Sequence, residues 1–223
     1  SASIVGLNAQ QVAALGVVRA TGLTTAQVGA LSTAEINQLS SALTSIQALG
    51  LSTAQVSAIG VSSFNSVSIK GLTSAAIAGL SSTQMQAFSS DNIRGLTAGQ
   101  LQAIGTAKIT ALETEDVFAL SSVQVGGLSS AQVDQMLTLQ LAALNSSSIK
   151  GLSASQIGAL DTANIVSLDS ADLPGLTSAQ LRAFSTQQLD AFTNDQVRAL
   201  TSASIVGLNA QQVAALGVVS ATG

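Results

Sequence analysis

The 223-residue chain contains no cysteine, histidine, tryptophan or tyrosine, and a single proline. Without histidine and cysteine it lacks the commonest general base, the best thiol nucleophile and the soft metal ligands. Histidine or cysteine catalysis, zinc sites, haem ligation and disulfides are thereby excluded. Charge is scarce as well: 8 % of the residues are charged, against about 25 % in an ordinary domain. Seven basic residues and a net charge of −4 leave no electrostatic footprint for nucleic acid or acidic lipid. Mean hydropathy is high at +0.49. Runs such as Val12–Val18 are nevertheless far shorter than the ~20 apolar residues of a spanning helix, so no membrane insertion is expected. No GxGxxG or GxxxxGK[ST] phosphate loop is present.

What is there is a repeat. Residues 177–208 read TSAQLRAF, STQQLDAF, TNDQVRAL and TSASIVGL, four octads of one pattern. With each octad numbered 1 to 8, the register runs unbroken from Thr73 to Leu216, through 18 octads. Upstream it continues from Asn8, with two insertions that shift the frame, Ser40–Leu43 and Gly60–Phe64. Among the 24 octads between Asn8 and Leu208, positions 5 and 8 are apolar in all. Position 7 is Ala or Gly in 21, position 1 is Ser, Thr, Asn or Asp in 20, and position 4 is Gln or Glu in 14. A longer period is superimposed. Residues 1–22 recur as 202–223 with 21 of 22 positions identical, only Arg19 against Ser220 differing. We expect residues 1–223 to be a single octad-repeat solenoid, slightly more than one 201-residue unit of a tandem array. The alternative is a designed chain with a duplicated end.

Each octad encodes a start, about one helical turn and a stop. A hydroxyl, Asn or Asp at position 1 followed by Gln or Glu at position 4 is the capping box, and the apolar residues at position 8 of the preceding octad and position 5 have the spacing of the hydrophobic staple. Gly or Ala at position 7 before an apolar position 8 suits a helix C-terminus. The charges agree. Nine of the eleven acids fall at positions 1, 3 or 4: Glu35, Asp91, Glu113, Glu115, Asp116, Asp161, Asp169, Asp172 and Asp195. Five of the seven bases fall at position 6: Lys70, Arg94, Lys150, Arg182 and Arg198. That segregation complements a helix dipole. Pro174, also at position 6, should distort its octad.

The fold class expected is therefore all-α, a solenoid of very short helices, one per octad. A β-solenoid of short strands is the alternative, since an even period is compatible with alternation. Against it, positions 5 and 8 have opposite parity and would face opposite sides of a strand, whereas on a helix they share a face. A lone octad is too short to be stable, so neighbouring turns must supply the missing burial, as in solenoids generally.

No catalytic, cofactor-binding or metal-ligating residue emerges, and the chain is not expected to be an enzyme or to take a small-molecule substrate. Glu113, Glu115 and Asp116 form the densest acidic cluster, with Asp161, Asp169 and Asp172 a looser one. Calcium needs six to eight converging oxygens, and capping carboxylates are the better reading. Ser68 with Lys70, and Ser148 with Lys150, share the context SIKGL and evoke a Ser–Lys nucleophile, but their repetition points to structure. Asn145-Ser-Ser matches a glycosylation sequon. The five phenylalanines mostly take the core position 8, and Phe118, at the outward position 6, is the candidate contact residue.

The stretches GLTTAQVGAL (22–31), LSTAQVSAI (51–59) and GLTSAQLRAF (175–184) resemble the degenerate LTTAQVxA-type repeats of very large secreted or surface proteins of bacteria, often described as adhesin-like. The resemblance covers the whole chain and implies a structural role at the cell surface or outside the cell. Low charge and the absence of cysteine fit export independently. The function expected is a structural filament, stalk or surface fibre. The alternative is an adhesin or binding module using Ser/Thr rows on glycan or ice. The partner expected is a second copy of the chain, end to end or side by side, because a solenoid cut in mid-array leaves apolar positions uncovered.

Overall fold

The computed structural model describes residues 10–12, 14 and 20–221. The chain divides into two compact units, Ser1–Leu112 and Glu113–Gly223. Among the described residues there are helices and no strand, so the helical expectation holds and the strand alternative falls. Nearly every helix is a single short piece of four to seven residues, such as Thr53–Ile59, Ala98–Gln102 or Ser178–Ala183. Ala210–Ala221 is longer, at 12 residues, and the 3-10 turns are shorter, at three.

The octad code is carried out residue by residue. At Thr97 the side chain accepts the backbone N–H of Gln100, and the Gln100 Oε1 accepts the backbone N–H of Thr97 at 2.7 Å. The same reciprocal pair closes the N-terminus of Ser153–Gln156, Thr177–Gln180, Ser185–Gln188 and Thr193–Gln196. Positions 5 and 8 form the core: Leu101 and Ile104, Ile157 and Leu160, and Leu181 and Phe184 are all buried. In the second unit two position-8 rings, Phe184 and Phe192, meet edge to face with centroids 5.3 Å apart, a favoured aromatic geometry.

Within each unit the chain coils so that successive turns lie side by side. Position 7 of one octad backs onto position 2 of the octad three earlier. Helix Ala154–Ala159 packs on Ser130–Asp134, and Ser178–Ala183 on Ala154–Ala159, each three octads apart. A Cβ at Gly151 would collide with the Ser122 carbonyl, and one at Gly71 with the Ser45 carbonyl. Small residues at position 7 are therefore a packing requirement between turns as well as a helix stop.

The two frame breaks are shortened repeats. Ser40–Ala42 and Val61–Ser63 are single 3-10 turns. Ser40 and Leu43 are buried in the first, Val61 and Phe64 in the second, the places of positions 5 and 8. The second begins at Gly60, whose φ of +83° lies where glycine alone is unstrained. Cross-turn hydrogen bonds count each insertion as a full repeat: the Asn92 Nδ2 donates to the Val61 carbonyl, as a position-4 amide elsewhere donates to position 5 four repeats back. The coil of the first unit therefore passes through both breaks without losing its register.

Pro174 does lie in a 3-10 turn, Leu173–Gly175. Proline is only part of the cause, since Ile69–Gly71 and Ile149–Gly151 form the same turn without it. The three octads share Asn or Asp at position 1 and a short Ser or Asp at position 4. In Asn145 the Oδ1 accepts the backbone N–H of both Ser147 and Ser148, at 2.9 and 3.0 Å. That Asx-type turn competes with the α-helical first turn.

Candidate functional site

The chemistry that the fold concentrates is the row of position-4 side chains, buried although polar. Gln100, Gln156, Gln188 and Gln196 are among them. Each glutamine works in two directions. Its amide oxygen caps its own helix, and its amide nitrogen crosses to the preceding turn. In Gln156 the Nε2 donates to the Val125 and Leu128 carbonyls at 2.8 and 2.7 Å. Gln180 donates to Ile149 and Leu152, Gln196 to Ile165 and Leu168, and in the first unit Gln47 to Ala20 and Leu23. Those carbonyls belong to positions 5 and 8 four repeats back. One side chain thus satisfies a helix start and two carbonyls at a helix end, groups that must be paired when buried.

The capping half of this was visible in the sequence; the cross-turn half was not. A signal for it existed. Of the 14 Gln or Glu residues at position 4, 13 are Gln and only Glu35 is Glu. Glutamate serves a capping box equally well, but a carboxylate has no N–H to give the next turn.

Other position-4 residues solve the problem differently. The Lys108 Nζ donates to the Ala78 carbonyl at 2.7 Å. Where position 4 is Ser and position 1 is Asn, the task passes to position 1: the Asn145 Nδ2 donates to the Phe118 carbonyl at 2.8 Å, and the Asn65 Nδ2 to the Ser41 carbonyl at 2.8 Å. Asp172 reverses the polarity, its Oδ1 accepting the Ser146 backbone N–H at 2.6 Å. Burial and the nearby Asp169 raise the Asp172 carboxyl above its usual range, against the lowering by the Ser146 N–H.

Asp116 fits none of these patterns. It is 2 % exposed, and its Oδ2 has no hydrogen-bond partner. Desolvation raises its pKa to about 6, helped by the charges of Glu113 and Glu115 and opposed by the Glu113 backbone N–H that it accepts. Every amide in this register has a donor to offer; an ionised carboxylate has none.

The other sequence candidates resolve as follows. Glu113 stands at an N-cap but makes no side-chain cap bond, and Glu115 accepts from the Thr114 hydroxyl at 3.2 Å. Asp161 caps its helix, accepting the Asn164 N–H at 2.7 Å, and Asp169 accepts the Ala171 N–H. Among the described residues no three of His, Cys, Asp and Glu are grouped so as to hold a metal ion. Ser68 and Ser148 are fully buried and donate to the Asn65 and Asn145 carbonyls, while Lys70 and Lys150 are exposed, so the structure does not join them as nucleophile and base. The Asn145 amide of the sequon is the cross-turn donor already described. Phe118 is 59 % exposed, as its outward position implied. Among the described residues no helix is long and apolar enough to cross a membrane.

A comparison with protein-family models meets this geometry directly. The ALTTAQ repeat model matches residues 109–146, 138–170 and 165–202. The chain is a repeat protein. Successive matches begin at 109, 138 and 165, a spacing close to the 28-residue offset of the Gln156 and Gln188 bridges. One family repeat therefore corresponds to about one turn of the coil in the second unit, and the octad is its subdivision. No curated protein matches the chain.

Proposed function

We propose that this repeat protein is a structural element of an extracellular filament, stalk or surface fibre, and that it performs no catalysis. The observation that carries the reading is the position-4 row. The buried polar chemistry is directed inward, bracing each turn against the one before it, and regularity of that kind serves a load-bearing coil rather than a ligand. Low charge, absence of cysteine and the resemblance to LTTAQVxA-type repeats support a place outside the cell. The 201-residue recurrence supports tandem repetition, and self-association supplies the partner.

Immunogold electron microscopy of the source cells should label filaments or a surface layer. Fractionation that places the protein in the cytosol would overturn the reading. A glycan array and an ice-recrystallisation assay on the purified chain should both be blank, and a specific hit in either would favour a binding module instead.

A further inference from the structure

The outward positions of the octad are 3 and 6, and small or polar residues fill most of them. Between Thr24 and Leu208 they carry Val, Ile, Leu or Phe at eight places. Six of the eight stand on adjoining turns, three in each unit, and each of the six is more than half exposed. A lone exposed apolar side chain is ordinary, but a contiguous row of them marks an interaction surface.

In the first unit the row is Ile46, Leu49 and Val67. Helix Ser45–Ala48 packs on the turn Ile69–Gly71, and Ile46, Leu49 and Lys70 line one shallow groove with Gly71. The arrangement repeats on the following turn. A Cβ at Gly95 would collide with the Ser66 carbonyl, as one at Gly71 would with that of Ser45, so Arg94 stands beside Val67 as Lys70 stands beside Ile46. Lys70 and Arg94 are exposed, and among the described residues neither makes an ion pair. Asp91 is the acid on this ridge.

In the second unit the row is Phe118, Leu139 and Val166. Helices Thr114–Phe118, Thr138–Ala142, Thr162–Ser167 and Thr186–Asp190 pack each on the next. The charged residues at positions 3 and 6 of those four helices are Glu115 and Asp190, both exposed, with no base among them. The units differ in the same sense as their ridges. Residues 20–112 hold three bases and two acids, and residues 113–221 three bases and nine acids.

We propose that the basic ridge of the first unit, Ile46, Leu49, Val67, Lys70 and Arg94, binds the acidic ridge of the second unit of another copy of this chain, Glu115, Phe118, Leu139, Val166 and Asp190. The proposal rests on the structural reading above and names the surface through which copies associate. Apolar side chains supply the burial at the centre of the contact. Charge decides which ridge meets which, since two basic or two acidic ridges would repel. The contact is therefore heterologous, with unlike surfaces meeting.

The test uses the full chain. Sedimentation should show concentration-dependent association at about 50 mM salt that weakens at about 500 mM, where exposed charges are screened. Lys70→Glu with Arg94→Glu should weaken it by roughly tenfold or more, because like charges then face each other. Arg182→Glu with Arg198→Glu makes the same change in net charge away from both ridges and should leave association within about twofold. Glu115→Lys with Asp190→Lys should weaken it as the first reversal does. Mixing the two reversed chains should restore it, which a merely misfolded variant could not do. A wild type that is monomeric at every concentration, a ridge reversal no worse than the control, or a mixture that stays apart overturns the proposal. Such a result removes this surface alone, and the structural reading is decided by the microscopy and fractionation above.

Discussion

The Gln188 amide nitrogen lies 2.7 Å from the Leu160 carbonyl oxygen, while its amide oxygen accepts the Ser185 backbone N–H at 2.8 Å. One planar group therefore ties the start of its own helix to the end of a helix a full turn earlier. The two bonds come from opposite ends of the amide, and only an amide offers an acceptor and donors at this reach.

Gln188→Glu separates these roles. The carboxylate keeps the cap but loses the donor to Leu160 and Ile157, and it adds negative charge beside two buried carbonyls. We expect a loss of roughly 2–4 kcal/mol at neutral pH, from a charged group and unsatisfied acceptors in the interior. Burial should raise this carboxyl's folded-state pKa as it does that of Asp116, so part of the loss should return as the pH falls toward the ordinary carboxylate value. Chemical denaturation at pH 4 and pH 7 measures both.

Asp116→Asn should do the opposite. The folded-state pKa of Asp116 is about 6 against an ordinary 3.8, so the folded chain holds the proton more tightly than the unfolded one. Its contribution is most favourable below the unfolded value and is lost as pH rises through the folded value. The wild type should lose stability between about pH 4 and pH 6 through this group. Asparagine carries no such dependence and should be the more stable at pH 7 by on the order of 2 kcal/mol. A gap that failed to narrow at acid pH would show that desolvation of the carboxylate is not the cause.

Two glycines of the second unit should respond with opposite signs. Gly151→Ala drives a methyl into the Ser122 carbonyl of the adjoining turn and should cost roughly 1–3 kcal/mol, as overpacking does. Gly158 lies in helix Ala154–Ala159 with nothing near its would-be Cβ. Its replacement by alanine should stabilise by about 0.5–1 kcal/mol, from helix propensity and a less mobile unfolded chain. Thermal melts of the two variants side by side decide the matter.

Asn145→Asp keeps the turn acceptor for Ser147 and Ser148 but removes the donor to Phe118. A loss of about 1–2 kcal/mol is expected for the orphaned bond. Asn145→Ala, which removes the turn acceptor as well, should cost more. Comparing the two by denaturant titration separates the cross-turn bond from the local one.

The sequence by itself determined the local structure. Capping boxes, staples, the charge segregation and the small position 7 act over a few residues, and their spacing is the octad itself, so one short helix per octad followed from local chemistry. It determined the core for the same reason, since positions 5 and 8 share a face on a helix. What only the tertiary structure decided is what each octad touches. The period is uniform, so nothing in the string distinguishes three octads per turn from four. Packing places the neighbours three repeats away at Gly151 and Ser122, and four at Gln156 and Val125, because a turn falls between the two. Asp116 shows the difference most clearly. In the sequence it is one more acid in the first turn of a helix, well placed for the dipole. In the folded coil the same position is buried and has to supply a donor, and a carboxylate that suits the local rule leaves an oxygen without a partner.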